Sequence, residues 1–123
     1  MKKKGIILYA HGARDARWSA PFESLLLRVR NRRPDIPAEL AFLDYLEPNL
    51  VVAARRLASG GVDHIRIVPL FFGRGGHLRE NVPEQLEVAR RELPDVLFDV
   101  TEAAGESPDI VDALADFVLR GIA

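Results

Sequence analysis

Four short, mostly apolar runs alternate along the chain with segments in which apolar residues recur at helical spacing. Runs of this length and composition are typical of strands buried on both faces, and the segments between them predict amphipathic helices. The strand candidates are 5–10, 38–43, 64–70 and 96–100. The alternation predicts an α/β fold with a mainly parallel four-stranded sheet and helices on both of its faces, in three layers.

Polar residues and prolines predict where the helices begin. Ser19 followed by Pro21, Asn81 followed by Pro83, and Ser107 followed by Pro108 are typical helix starts, and Pro48 suits a first helical position. In the last helix we expect an apolar face directed into the core. That face consists of Ile110, Val111, Leu114, Phe117 and Val118.

Two histidines follow strands in this pattern. We expect the strand order 2-1-3-4, in which the connections reverse direction between the first and third strands and leave a crevice at their carboxyl ends. His11 ends the first strand, and His77 follows the glycine-rich turn after the third. The two imidazoles should therefore meet in space, whereas His64 starts a strand at the opposite pole and is expected to be a surface residue.

Composition limits the classes of function. With 123 residues the chain should form one domain, 1–123, and a net charge of −1 gives no reason to expect nucleic acid or a membrane as partner. The absence of cysteine excludes disulfides, thiolate metal sites and cysteine catalysis. No apolar stretch is long enough to span a bilayer, so a soluble cytoplasmic protein is the default expectation.

The residues around the crevice suit metal and anion chemistry. Imidazoles bind divalent metals such as iron, cobalt, nickel or zinc and accept protons near neutral pH. A carboxylate could come from Asp44, which directly follows the second strand, or from Glu47; Asp44 is preferred. Guanidinium groups would bind carboxylates, and glycines would allow close backbone approach. The candidates for this substrate-binding role are Arg14, Arg17, Arg74, Gly75, Gly76 and Arg79.

Two neighbouring phenylalanines follow the third strand. Phe71 and Phe72 should point to opposite faces, so that one belongs to the core and the other could touch a flat ligand.

Several motifs together resemble those of one known family. The segments are Tyr9-Ala-His-Gly-Ala-Arg-Asp15, Ala41-Phe-Leu-Asp-Tyr-Leu-Glu-Pro48 and Val68-Pro-Leu-Phe-Phe-Gly-Arg-Gly-Gly-His77. They are similar, in the same order, to segments of the short sirohydrochlorin chelatases, the CbiX-type class II chelatases. The family often has glutamate at the position of Asp44.

The resemblance implies a chelatase-like fold and insertion of Co²⁺ or Fe²⁺ into sirohydrochlorin, for cobalamin or sirohaem synthesis. It implies that His11 and His77 handle the metal, that no organic cofactor takes part, and that two copies of the chain pair as a homodimer. Both histidines suit that chemistry, since imidazole can hold and release an ion and accept a pyrrole proton.

Three other interpretations remain open from the sequence. A non-catalytic carrier of metal or tetrapyrrole could use the same site. A histidine phosphatase would have arginine before the first histidine, where this chain has Ala10, and is disfavoured. A structural α/β domain would leave the two histidines and four arginines as coincidence.

Overall fold

The computed structural model describes residues 3–73 and 76–122. Within the helix Gly76–Glu92, it describes the backbone but not the side chains of residues 76–81. Of the sequence-predicted site residues, Arg74 and Gly75 therefore lie outside the described residues, and so do the side chains of His77 and Arg79.

Four parallel strands form one sheet in the order β2-β1-β3-β4. They are β1 (Lys4–Ala10), β2 (Ala38–Phe42), β3 (His64–Pro69) and β4 (Leu97–Val100). Leu8 is in register with Leu40 on one side and Val68 on the other, so the carboxyl ends of β1, β2 and β3 lie together. The predicted strand order and parallel sheet are confirmed, with strand boundaries within two residues.

Helices cover both faces of this sheet. The four are α1 (Ala20–Arg32), α2 (Leu50–Ser59), α3 (Gly76–Glu92) and α4 (Pro108–Leu119), with 3-10 turns at Ala16–Ser19 and Ala104–Glu106. On one face, Leu26 of α1 packs with Leu8 and Leu40. On the other, α2 and α3 bury Leu50 and Leu86 against β1 and β3. The three-layer α/β prediction is confirmed.

Two predicted helix starts are wrong. The side chain of Asn49 caps α2 by accepting a hydrogen bond from the N–H of Val52 (2.9 Å), so the helix begins at Leu50. Pro48 lies before the helix, and the peptide bond between Glu47 and Pro48 is cis. The third helix begins at Gly76 rather than after Asn81, and Pro83 lies inside it. An Asn-x-Pro sequence suits a helix start locally but does not prevent the helix from beginning further upstream.

The inward-facing stripe predicted for the last helix is also wrong. The helix begins at Pro108 as expected, but no residue of α4 is buried, and Phe117 and Val118 are 62% and 70% exposed. It packs against the preceding 3-10 turn rather than the sheet. Helical spacing identifies an apolar face but does not determine which surface that face covers.

No helix within the described ranges 3–73 and 76–122 is long and apolar enough to cross a bilayer.

Candidate active site

His11 lies directly after β1, at the carboxyl edge of the sheet. Its half-buried ring packs against the ring of Phe71, with centroids 4.8 Å apart and planes tilted by 46°. Phe71 is only 4% exposed, so it forms a fixed apolar support under one side of the imidazole. The indole Nε1 of Trp18 donates a hydrogen bond to the carbonyl oxygen of His11 (2.7 Å). Side chain and backbone of His11 are thus both held in place.

Asp44 reaches the same loop from β2. Its Oδ1 accepts a hydrogen bond from the backbone N–H of Gly12 (2.9 Å). A Cβ on Gly12 would lie 1.7 Å from the carbonyl oxygen of Asp44, so the two backbones approach too closely for any residue but glycine. The carboxylate therefore fastens the peptide that follows His11. This contact brings two of the sequence-predicted site residues to one place.

A chain of hydrogen bonds beneath the crevice connects the sheet to α3. The buried Tyr9 donates its hydroxyl to Oε1 of Gln85, and Nε2 of Gln85 donates to the carbonyl oxygen of Leu43 (3.0 Å). Burial, followed by the negative charge of Asp44, raises the pKa of Tyr9 above its usual range. Tyr9 thus remains a protonated donor, and α3, which carries His77 in its first turn, is anchored at the site end of the sheet.

The arginines predicted to bind substrate around the crevice differ in their surroundings. The Arg14 guanidinium lies over the ring of Tyr45, 5.6 Å from its centroid. Among the side chains that the structure describes, no carboxylate pairs with Arg14. Arg17 instead forms a two-point pair with Asp15, with an Nη2–Oδ2 distance of 2.7 Å. Arg14 is therefore available to bind an anion, whereas Arg17 is already paired.

His77 lies in the first turn of α3, as do Gly76 and Arg79, because the helix begins at Gly76. Whether the imidazole of His77 meets that of His11 remains a prediction, since its side chain lies outside the described residues. Among the residues whose side chains are described, no cluster of three or more histidine or carboxylate groups has metal-binding geometry.

The remaining candidates have simpler positions. Glu47 is exposed in the loop after β2. Phe72 is 74% exposed while Phe71 is buried, so the predicted division between core and surface is confirmed. His64 lies at the amino end of β3, at the opposite pole from the crevice, where its Nε2 is 2.6 Å from Oδ2 of Asp99. Partial burial alone would raise the pKa of Asp99, but the hydrogen bonds from His64 and Arg66 together outweigh it and lower that pKa.

Sequence reasoning missed the supporting residues. Gln85 is a polar residue in a helix, and Gly105 follows β4; neither stands in a recognisable motif. The N–H of Gly105 donates to the carbonyl oxygen of Phe71 (2.9 Å), and a Cβ there would lie 1.7 Å from the carbonyl oxygen of Phe72. Both residues act through contacts distant in sequence, so no local pattern could have revealed them.

Comparison with known proteins supplies the family. The CbiX family model matches residues 5–120. The chain belongs to the CbiX family. Among curated relatives, the sirohydrochlorin cobaltochelatase of Sulfurisphaera tokodaii is 31% identical over 116 residues, covering 93% of this chain and 90% of the relative.

Solved CbiX-type structures have the same fold. A CbiX protein from Marinobacter aquaeolei VT8 is 35% identical with a TM-score of 0.83, and the match covers 94% of this chain and 93% of the other. SirB from Bacillus subtilis, solved with Fe³⁺, is 21% identical with a TM-score of 0.80. That match covers 98% of this chain but only 48% of SirB. The chelatase-like fold and the family predicted from the motifs are confirmed.

Proposed function

We propose that this CbiX-family chain inserts Co²⁺ or Fe²⁺ into sirohydrochlorin, in cobalamin or sirohaem synthesis. The observation that carries the proposal is the match to a sirohydrochlorin cobaltochelatase over nearly the full length of both chains. The position of His11 supports it, because the imidazole stands at the carboxyl edge of the sheet on a fixed aromatic support. Open α/β sheets place ligands at this edge.

His11 and His77 are the proposed metal-handling and catalytic residues. Insertion requires a divalent ion held weakly enough to be passed on and two pyrrole protons removed. Neutral imidazole suits both tasks, since it is a metal ligand of intermediate softness that also accepts protons near neutral pH. Here the metal is a substrate, and no organic cofactor is required by this chemistry.

Asp44 is proposed mainly as a positioning residue for His11. One carboxylate oxygen is engaged by the N–H of Gly12. The other could accept a proton during the reaction, so Asp44 remains a proposed site residue with a more specific role. Glu47 is exposed, and no described contact links it to His11.

Residues around the crevice would bind the carboxylate-rich tetrapyrrole. Arg14 has no described carboxylate partner, and a guanidinium pairs with a substrate carboxylate in a bidentate manner. The exposed ring of Phe72 offers an apolar surface to the flat macrocycle. Arg17, Arg74, Gly75, Gly76 and Arg79 complete the proposed substrate-binding set.

A homodimer is the proposed working form. A tetrapyrrole is wide for the crevice of one four-stranded domain, and a second copy would close the other side. We also propose the cytoplasm as the compartment, which fractionation of cells expressing the chain would test.

Purified protein supplied with sirohydrochlorin and Co²⁺ or Fe²⁺ tests the function. Insertion changes the absorption spectrum of the tetrapyrrole, and several products per chain are expected. His11→Ala and His77→Ala should each slow insertion at limiting metal, with His64→Ala as the matched control at the opposite pole. Stoichiometric binding without turnover would instead identify a carrier, and full rates in both variants would remove the histidine pair from the mechanism.

A further inference from the structure

Tyr45, in the loop after β2, has a backbone conformation that tyrosine rarely adopts. Its φ is 61°, in the left-handed region. The N–H of Leu46 donates a hydrogen bond to the carbonyl oxygen of Asp44 (2.7 Å), which closes a three-residue turn around Tyr45. With a positive φ at its centre, this turn is the rare and strained form of the γ-turn. Glycine would adopt it without a steric penalty, so the presence of tyrosine requires a reason other than the course of the backbone.

The surrounding backbone holds the γ-turn in place. Asp44 accepts the hydrogen bond from the N–H of Gly12 (2.9 Å). A Cβ on Gly12 would lie 1.7 Å from the carbonyl oxygen of Asp44 and 3.1 Å from the nitrogen of Leu46, so both ends of the turn rest against Gly12. Strained backbone persists where its surroundings enforce it, and it is concentrated at functional sites. Here the strained residue lies beside the peptide that follows His11.

Packing in the core does not explain the tyrosine, because its side chain is 66% exposed. The structure shows a different contact for the ring. The guanidinium carbon of Arg14 lies over it, 5.6 Å from its centroid. A cation within about 6 Å of an aromatic centroid is attracted by the electron-rich face of the ring. The strained turn therefore presents an aromatic face to Arg14.

An aromatic partner orients a guanidinium without occupying its hydrogen-bond donors. A carboxylate partner does occupy them, as Asp15 does in its pair with Arg17 (Nη2–Oδ2 distance 2.7 Å). A guanidinium stacked on a ring keeps the N–H groups along its edge free, and these can bind a carboxylate at two points. Fixing a long side chain before its ligand arrives also reduces the entropy lost on binding. The contact with Tyr45 thus prepares Arg14 for an anion.

We propose that Tyr45 is a positioning residue for the substrate. Its ring holds the Arg14 guanidinium at the edge of the crevice, with the edge N–H groups directed to one carboxylate of the tetrapyrrole. The proposal rests on the proposed function, because it takes sirohydrochlorin as the ligand of Arg14. Tyr45 takes no part in metal insertion itself, so its replacement should change the binding of sirohydrochlorin and leave the insertion step unchanged.

Two substitutions of Tyr45 separate the ring from the turn. Tyr45→Gly keeps the turn, since glycine adopts a positive φ freely, but it removes the ring. It should raise the Kd for metal-free sirohydrochlorin, measured by tetrapyrrole fluorescence, by about two- to fivefold, the size of an exposed cation–π contact. Tyr45→Phe is the matched control. It keeps the aromatic face and should bind sirohydrochlorin as tightly as the native chain.

Stability and turnover distinguish positioning from an ordinary structural role. The thermal midpoint of Tyr45→Gly should not fall, because the relief of strain offsets the greater freedom of glycine in the unfolded chain. Its KM for sirohydrochlorin should rise in parallel with the Kd, with kcat unchanged. A lower midpoint with an unchanged Kd would show that Tyr45 only stabilises the fold, and the proposal would then be wrong.

A double-mutant cycle shows whether Tyr45 acts through Arg14. In an Arg14→Ala background, Tyr45→Gly should cause no further loss of affinity, because the group that the ring orients is absent. Independent, additive losses would show that Tyr45 contacts the macrocycle directly and would contradict the positioning role.

Nuclear magnetic resonance tests the contact without any tetrapyrrole. The ring current of residue 45 should shift the δ protons of Arg14 upfield in the native chain and in Tyr45→Phe, relative to Tyr45→Gly. Equal shifts in all three proteins would show that the guanidinium does not stack on the ring in solution, and this would also overturn the proposal.

These measurements separate the failure of this proposal from the failure of the proposed function. Binding of sirohydrochlorin without metal insertion would refute the proposed function, while the Kd values would still decide the role of Tyr45. Normal insertion with equal Kd values for the native chain and Tyr45→Gly would refute only the role of Tyr45. A native chain that binds no sirohydrochlorin would refute both.

Discussion

Replacing Asp44 separates a positioning carboxylate from a chemically active one. Asp44→Asn keeps an oxygen that can accept the hydrogen bond from Gly12 but removes the charge, whereas Asp44→Ala removes both. A hydrogen bond to a charged acceptor contributes about 1.5–3 kcal/mol and a neutral one about 0.5–1.5 kcal/mol. The asparagine variant should therefore weaken the anchor by about 1 kcal/mol and the alanine variant by up to about 3 kcal/mol.

The loss of this hydrogen bond lowers the rate if the bond holds His11 and the peptide after it in their reactive position. Since each 1.36 kcal/mol corresponds to about a tenfold change in rate, Asp44→Ala should slow insertion by about 10- to 100-fold and Asp44→Asn by less than about tenfold. Gly12→Ala should resemble Asp44→Ala, because its Cβ would overlap the carbonyl oxygen of Asp44 at 1.7 Å and force the two loops apart.

Initial rates of Co²⁺ insertion into sirohydrochlorin, measured by absorption at limiting and saturating metal, give the comparison. Thermal midpoints show whether each variant remains folded, and Glu47→Gln serves as the control carboxylate in the same loop. If Asp44→Asn proves as slow as Asp44→Ala, the charge itself is required and the positioning role is refuted. A shifted pH profile in Asp44→Asn would then identify Asp44 as a proton acceptor.

Three further changes test other contacts. Arg14→Ala should raise the KM for sirohydrochlorin about tenfold in steady-state assays, whereas Arg17→Ala should change it less than about threefold, because Arg17 is already paired with Asp15; equal effects would contradict this division. Tyr9 has a raised pKa when folded, so its contribution to stability is complete below about pH 10 and is lost as the pH rises toward the folded value. Tyr9→Phe should therefore lower the thermal midpoint at pH 8. Between pH 8 and 11 the midpoint of this variant should fall less than that of the native chain, and an equal fall would refute the contribution of Tyr9 to the pH dependence. Gly105→Ala should lower the thermal midpoint by several degrees, because its Cβ would meet only backbone atoms of Phe72, and a native midpoint would show that the turn can shift freely.

The sequence was sufficient for the sheet because strand order follows from patterns that extend along the whole chain. Apolar runs, the turns that end them and the handedness of crossovers place His11 and Asp44 at one edge, where the structure joins them through Gly12. The distinct roles of Arg14 and Arg17 were not predictable. Whether Arg17 is paired depends on the local conformation of Asp15. The sequence alone does not distinguish a paired arginine from an unpaired one.

The errors in the helices have a related cause. Asn81 and Pro83 form a valid local start signal, yet α3 begins at Gly76, five residues before Asn81, because a start signal does not exclude helix upstream of it. The apolar stripe of α4 was recognised, but it was expected to face the core, whereas the structure leaves it exposed. An amphipathic pattern shows that a helix has an apolar face, but it does not show which surface that face covers.

One short turn, Ala104–Glu106, connects the backbone at Phe71 and Phe72 with the start of α4. Gly105 holds the backbone at Phe71 and Phe72, and Phe71 is the ring on which His11 rests. The same turn leads into α4, separated from it only by Ser107. A change at this turn would therefore reach the ring that supports His11.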